Sequence, residues 1–325
     1  MGPLFGAVVA RALDEWWEGL GRPDPYIVVE AGAGTGTLAR DVLAAAPECG
    51  PALRYVLVER SGALRERQAA RLPLELPSLV LGPAGAGDED GEAAHGSGQL
   101  ATSLAGFPGQ RFTGVVLANE LLDNLPFVLV ERRGHAWSEV RVGWGVGGAE
   151  EVLVPAAPDL ATEAERLAPA APEGGRVPLQ HEAARWLRGA VSALERGRLV
   201  VVDYADASAS LAARPWLDWV RTYRGHSRGG HPLDDPGGQD VTCEVAVDQL
   251  AHSRVPDCDG SQAAFLAAHG IEELAAAARA GWQAGAAKGD LAALRHKSRI
   301  GEAAALLDPA GLGGFRVLEW VIGSL

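Results

Sequence analysis

One stretch constrains this chain more than any other: the apolar run Tyr26–Ala31 (YIVVEA), followed at once by Gly32-Ala33-Gly34-Thr35-Gly36. A short apolar run with β-branched residues reads as a buried strand, and Leu38–Ala46 reads as a helix that stops at Pro47. Three glycines between strand and helix permit positive φ and a close approach of backbone to ligand. Amides at the start of that helix can face a polar group. Units of the same kind follow. Arg54–Glu59, Thr113–Ala118 and Leu199–Asp203 read as further buried strands, with helices at Ser61–Leu72 (Ser61 the N-cap) and His181–Arg196. Such alternation predicts an α/β fold: a Rossmann-like, mostly parallel sheet with helices on both faces.

Two segments interrupt the pattern. Gly82–Gly106, rich in glycine, alanine and acid, reads as a flexible loop. Phe127–Arg133 and Ala136–Val142 alternate apolar and polar residues around Arg133-Gly134-His135, a hairpin signal, and Val154–Gly175 reads as loop with at most one helical turn. The last part holds helical stretches at Gln262–Ala268 and Glu272–Ala284 and a strand, Phe315–Ile322, that can close the sheet. The expectation is a single domain over 1–325 with a flexible insertion near 82–106 and a hairpin and loop insertion near 127–176, although 325 residues is long for one core.

Composition excludes several partners. A net charge of -13 argues against nucleic acid and anionic membrane surfaces, both of which need a basic face. Cys49, Cys243 and Cys258 are too widely spaced for a disulfide scaffold or a CxxC metal pair, so a reducing compartment and no metal are expected. No apolar run has the length of a membrane helix, and no secretory pattern opens the chain. The expected location is cytoplasmic, without membrane insertion.

The residues around the glycine turn narrow the ligand. Glu59 ends the second strand, where an acid can accept both hydroxyls of a ribose. The dinucleotide fingerprint GxGxxG would place glycine at position 37, which is Thr37 here. Glu30, just before the turn, repels a pyrophosphate but suits the cationic end of S-adenosylmethionine. A nicotinamide-dependent oxidoreductase is therefore disfavoured. A glycine turn can also serve only to pack a helix on a strand; the strand, the helix, Glu30 and Glu59 together favour nucleoside binding.

A second constellation lies at Val115–Asp123 (VVLANELLD), followed by Asn124-Leu125-Pro126. Asn119 and Glu120 leave the carboxyl end of a strand, the edge where open parallel sheets bind ligands. If a helical turn starts there, Glu120 and Asp123 project from one side. Two carboxylates suit a guanidinium, which stays protonated at neutral pH and is held well by bidentate pairing. The plainer alternative is that Asp123 caps a turn and Glu120 is a solvated acid.

EAGAGTGTL followed by ANELLDNLPF resembles the MidA-like class I methyltransferases, a family that includes a mitochondrial complex I assembly factor dimethylating an arginine of a complex I subunit. The resemblance continues at Thr222-Tyr223-Arg224-Gly225-His226, at Asp235–Thr242 (DPGGQDVT) and at Asp308–Gly313 (DPAGLG), and so runs from Gly2 to the end of the sequence. It implies a seven-strand methyltransferase sheet, S-adenosyl-L-methionine as donor and a protein or amino-group acceptor, by analogy a respiratory complex subunit. On this resemblance Glu30, Gly32, Gly34, Gly36 and Glu59 hold the cofactor. Asn119, Glu120 and Asp123 lie between cofactor and acceptor, and His226 can take a proton near pH 7. A non-catalytic S-adenosylmethionine-binding assembly factor is the alternative. The family carries a helical cap ahead of the segment matching Gly2–Gly6. Its absence from this sequence is expected to mean either a more open cleft or a start misassigned at a GTG codon. The stretch Cys243-Glu244-Val245 also departs from the family, which often has a histidine near Glu244.

Overall fold

The computed structural model describes residues 2–82, 98–225, 227–287 and 290–323. They fall into two compact units: Met1–Asn119 with Ala190–Val202 and Pro256–Leu325, and Glu120–Gly189 with Asp203–Val255.

The first unit is built on a seven-stranded sheet. Its strands are β1 (Tyr26–Ala31), β2 (Leu53–Val58), β3 (Leu100–Leu104), β4 (Phe112–Asn119), β5 (Leu194–Asp203), β6 (Cys258–Ser261) and β7 (Arg316–Ile322), in the spatial order β6-β7-β5-β4-β1-β2-β3. β2 and β4 pair parallel with β1, β3 pairs parallel with β2, and β5 pairs parallel with β4. The β6–β7 pair at the far edge is antiparallel. Every residue of β1 and β2 is buried, which is why both read as unbroken apolar runs. The strand order reverses between β1 and β4, and in open parallel sheets ligands bind outside the carboxyl ends at such a point.

Helices flank this sheet. α1 (Pro3–Gly19) starts with proline at its first position and buries Leu4, Phe5, Val8, Val9, Ala12, Leu13 and Trp16 at helical spacing. It approaches α2 (Thr37–Ala44) so closely at Gly6 that a Cβ there would lie 2.5 Å from the Asp41 Cβ. α3 (Gly62–Ala69) is capped by Ser61, whose hydroxyl accepts the Leu64 amide at 3.4 Å.

Three local expectations change in this unit. Leu100–Leu104, inside the stretch expected as a loop over 82–106, is strand β3; five residues of mixed polarity carry no strand signal until β2 pairs with them. Residues 83–97 lie outside the described residues. The helix expected to reach Arg196 ends at Ala193, because Leu194 already pairs with Phe112 in the sheet. The last strand does not close the sheet: β7 lies inside it, and the short, polar β6 forms the edge.

The second unit contains the expected hairpin, with Arg133 opposite Ala136. It grows into a four-stranded antiparallel sheet in the order Gly148–Pro155, Ala136–Gly145, Val128–Arg133, Arg176–Leu179. The stretch expected as loop holds the helix Pro158–Leu167, which packs Ala164 and Leu167 on Val130, Trp137, Val177 and Leu179. A smaller sheet joins Ser227–Arg228, Val220–Arg224 and Asp240–Cys243. Among the described residues no helix is long and apolar enough to cross a membrane, and none of the three cysteines is in a disulfide.

Candidate functional site

In the first unit the glycine turn leaves β1 in a conformation that side chains resist. Gly32, Gly34 and Gly36 have φ of 70, 53 and 76°, all left-handed. The amides of Gly32 and Ala33 donate to the Val58 carbonyl at 2.9 and 3.1 Å, which ties the turn to the end of β2. Gly36 is also crowded: a Cβ there would sit 3.1 Å from Leu57 Cδ2 and 3.3 Å from Leu72 Cδ1. Gly34 is open, with only the Gly32 carbonyl at 4.0 Å from such an atom.

Two side chains pin this turn from the neighbouring strand and helix. Glu59 accepts the Gly34 amide on Oε2 at 3.0 Å and the Ser61 amide on Oε1 at 2.8 Å. Gln68, fully buried on α3, donates from Nε2 to the Gly34 carbonyl at 2.8 Å and accepts the Ser103 hydroxyl on Oε1 at 2.6 Å. An ionised carboxylate has about four acceptor positions, so Glu59 can still accept hydroxyl groups.

Glu30 is buried at the end of β1, and its Oε2 accepts the Tyr55 hydroxyl at 2.7 Å. Burial pushes its carboxyl up to about 7, against the opposing pull of the Tyr55 hydroxyl and the Ala39 amide. Asn119 closes β4, and its Oδ1 is buried with no hydrogen-bond partner among the described residues. An orphaned buried carbonyl calls for a donor. The acceptors Glu59 and Asn119, with the uncovered left-handed turn, fit a ligand that has a ribose and a cationic amino group.

In the second unit the chain continues from Asn119 into an acidic turn. Glu120 has φ 50°, a left-handed conformation that a residue with a Cβ rarely takes. The helical turn expected to begin there is one turn of 3-10 helix, Leu122–Asn124, so Asp123 lies on it and Glu120 precedes it. Asp123 is buried and accepts the Asn124 side-chain amide at 2.6 Å. Burial first, and then the Glu120 charge, push its carboxyl up to about 7.

Asp203 holds this turn. Its Oδ2 accepts the amides of Leu122 at 2.9 Å and Asp123 at 3.3 Å, and its Oδ1 accepts the Tyr204 amide at 2.9 Å. Burial, and then the charge of Asp123, keep its carboxyl well above the usual range. In the sequence Asp203 stands out only as the end of a strand. Its signal is the pattern itself, since VVEA, VLVE, VLAN and VVVD each end a buried run near a polar side chain.

The later segments also come together within this unit. Tyr223 pairs with Asp240 and Thr222 with Val241, which joins the segment before His226 to the DPGGQDVT stretch. Arg224 forms an ion pair with Asp235. His226 itself lies outside the described residues. His181 makes an exposed contact with Glu163.

Residues 8–260 match the sequence profile of a family described as S-adenosyl-L-methionine-dependent methyltransferases. The chain is 28% identical over 264 residues to the protein arginine methyltransferase NDUFAF7 homolog, mitochondrial, of Drosophila melanogaster. That alignment covers 77% of this chain and 57% of the fly protein, so the match spans little more than half of that relative. A crystal structure from Burkholderia thailandensis, bound to S-adenosyl-homocysteine, superposes with a TM-score of 0.76 at 27% identity, covering 100% of this chain and 79% of that one. A native crystal structure from the same organism gives a TM-score of 0.76 at 27% identity, with 98% and 79% covered.

Proposed function

The chain belongs to this S-adenosyl-L-methionine-dependent methyltransferase family, and we propose that it transfers a methyl group to a nitrogen of a protein acceptor, an arginine guanidinium. The observation that carries the methyltransferase reading is the left-handed glycine turn with Glu59 on the Gly34 amide, in a chain that matches the family over residues 8–260. When bound, S-adenosylmethionine supplies a methyl group made electrophilic by its sulfonium. Glu59 would accept ribose hydroxyls, Asn119 Oδ1 would accept from the amino group, and the backbone of Gly32 and Gly34 would lie against the ligand. Glu30 would support the turn through Tyr55 and the start of α2.

The guanidinium reading is supported by the acidic turn and by the name of the fly relative. An arginine keeps its proton at neutral pH and needs an acceptor for that proton as its nitrogen becomes substituted. Glu120 would pair with the guanidinium. Asp123, with its carboxyl pushed up to about 7, is close to the value at which a carboxylate takes a proton most effectively near neutral pH. Two acids at this turn, Glu120 and Asp123, and a third beneath it, Asp203, favour a cationic partner.

The test uses the purified chain, methyl-labelled S-adenosylmethionine and an extract of the source cells. Labelled protein containing methylarginine is expected, and Glu120→Gln is expected to abolish the label while leaving cofactor affinity nearly intact. Wild-type transfer by Glu120→Gln would remove Glu120 from the mechanism. Cofactor binding with no labelled protein would favour a non-catalytic assembly factor.

A further inference from the structure

The hairpin of the second unit exposes an apolar face. Val140, Val142 and Trp144 lie opposite Leu153, Glu151 and Ala149 in register, so their side chains share one face. Val142 and Trp144 are 64% and 79% exposed. A cavity of about 490 Å3 lies against this face, lined by Leu129, Val140, Val142, Trp216, Val220 and Leu233 among others. A second, of about 580 Å3, reaches Trp144, Glu150 and Asp234. Both are lined by Glu151, His231 and Leu233, so they form one continuous groove.

The charges along the groove are uneven. Arg176 binds Glu151 through two hydrogen bonds of 2.8 and 2.6 Å, and its guanidinium lies 4.5 Å over the Trp216 ring. Glu139 pairs with Arg141 at 2.8 Å. Glu150 and Asp234, at the Trp144 end, make no ion pair among the described residues. One end of the groove is therefore apolar and internally neutralised, and the other presents two carboxylates without a cationic partner among the described residues, Asp234 accepting the His231 amide at 2.8 Å. An exposed apolar patch with a charged rim marks an interaction surface, and its charge sets the sign of the partner.

We propose that this groove docks a peptide segment of the protein acceptor that carries apolar side chains next to basic ones. The proposal rests on the protein-acceptor reading above. The apolar side chains occupy the end between Val142 and Trp216, and the basic ones lie against Glu150 and Asp234. Recognition of the acceptor is thereby placed on the second unit.

The test is a fluorescence-anisotropy titration of the full chain, without cofactor. The probe is a capped, labelled peptide of two leucines and a valine followed by two arginines; the control has glutamates for the arginines. The basic peptide is expected to bind at least about tenfold more tightly than the acidic one. Trp144→Ser and the double variant Glu150→Lys/Asp234→Lys are each expected to weaken it at least about fivefold. Glu48→Lys, a charge reversal at an exposed position of the first unit, is expected to change it less than about twofold. No binding, equal binding of the two peptides, or equal weakening by Glu48→Lys would overturn the proposal. So would a dimer of the wild-type chain that Trp144→Ser dissolves, since the occupant would then be a second copy. The methyl-labelling assay described above separates the two failures: methylarginine in extract protein without peptide binding leaves the protein-acceptor reading standing when the groove fails, whereas no labelled protein withdraws that reading itself.

Discussion

Glu59 accepts the amide of Gly34 at 3.0 Å, so the acid that ends the second strand unit fixes the middle of the glycine turn leaving the first. The same carboxylate accepts the Ser61 amide at the start of α3. Replacing it with alanine leaves both amides without their acceptor and removes the group assigned to the ribose. Glu59→Ala is expected to weaken S-adenosylmethionine binding at least about tenfold, equivalent to about 1.4 kcal/mol. Calorimetric titration checks this, and unchanged affinity would remove Glu59 from the cofactor site.

Gly34 and Gly36 separate backbone strain from crowding. Each has a left-handed φ, which costs an alanine about 1–2 kcal/mol. At Gly36 the new methyl also meets Leu57 and Leu72 at 3.1 and 3.3 Å, whereas at Gly34 it meets open space. Gly36→Ala is therefore expected to lower the urea midpoint more than Gly34→Ala does. Equal loss of stability in the two variants would contradict the packing described at Gly36.

Gln68 is a positioning residue for the same turn. Truncation to alanine leaves the half-buried Gly34 carbonyl and Ser103 hydroxyl without their partner, at about 1–3 kcal/mol. Gln68→Ala is expected to lower the melting temperature and to weaken cofactor binding together. Gln68→Glu keeps the acceptor but loses the donor, and is expected to fail in the same way. Loss of stability with unchanged cofactor affinity would make Gln68 a core residue only.

Glu30 gives the fold a pH dependence. Its folded carboxyl titrates at about 7, while an unfolded glutamate titrates at about 4.3. The folded chain thus holds a proton that the unfolded chain releases first. This contribution is fully present below about 4 and is lost as pH rises through about 7. Asp123, also raised to about 7, acts in the same sense. Urea unfolding is expected to show a smaller loss of stability between pH 5 and pH 8 in Glu30→Gln than in the wild type. An identical loss in both would show that Glu30 is already ionised in the folded protein.

Asp203 supports the acidic turn through backbone bonds alone. Asp203→Ala leaves the buried amides of Leu122 and Asp123 unpaired and is expected to cost at least about 2 kcal/mol. Methyl transfer should fall by about tenfold or more while cofactor affinity stays within about twofold. Asp203→Asn keeps an acceptor oxygen and is expected to recover part of the activity. Full activity in Asp203→Ala would show that the turn holds without it.

The parts legible in the sequence are those whose signal is local. β1, β2, β4 and β5 are buried on both faces and read as apolar runs, and the glycines after β1 announce their turn. β3 and β6 are not legible, since LATSL and CDGS become strands only by pairing with β2 and β7. The helix Pro158–Leu167 is obscured by its proline- and alanine-rich flanks, although Leu160, Ala164 and Leu167 carry the spacing of an amphipathic turn. In the site, the acids at strand ends can be found by position. Tyr55 and Gln68 cannot, because each is a single polar residue whose partner lies far away in the chain.

The central claim is that the glycine turn binds S-adenosylmethionine, and calorimetric titration of the purified 325-residue chain tests it most directly. S-adenosylhomocysteine serves as a second ligand, and Gly34→Asp places a carboxylate in the open space of the turn. Binding of both ligands in the micromolar range, lost in Gly34→Asp, is the predicted result. A folded wild-type chain that binds neither ligand, or a Gly34→Asp variant that binds as the wild type does, would contradict the account.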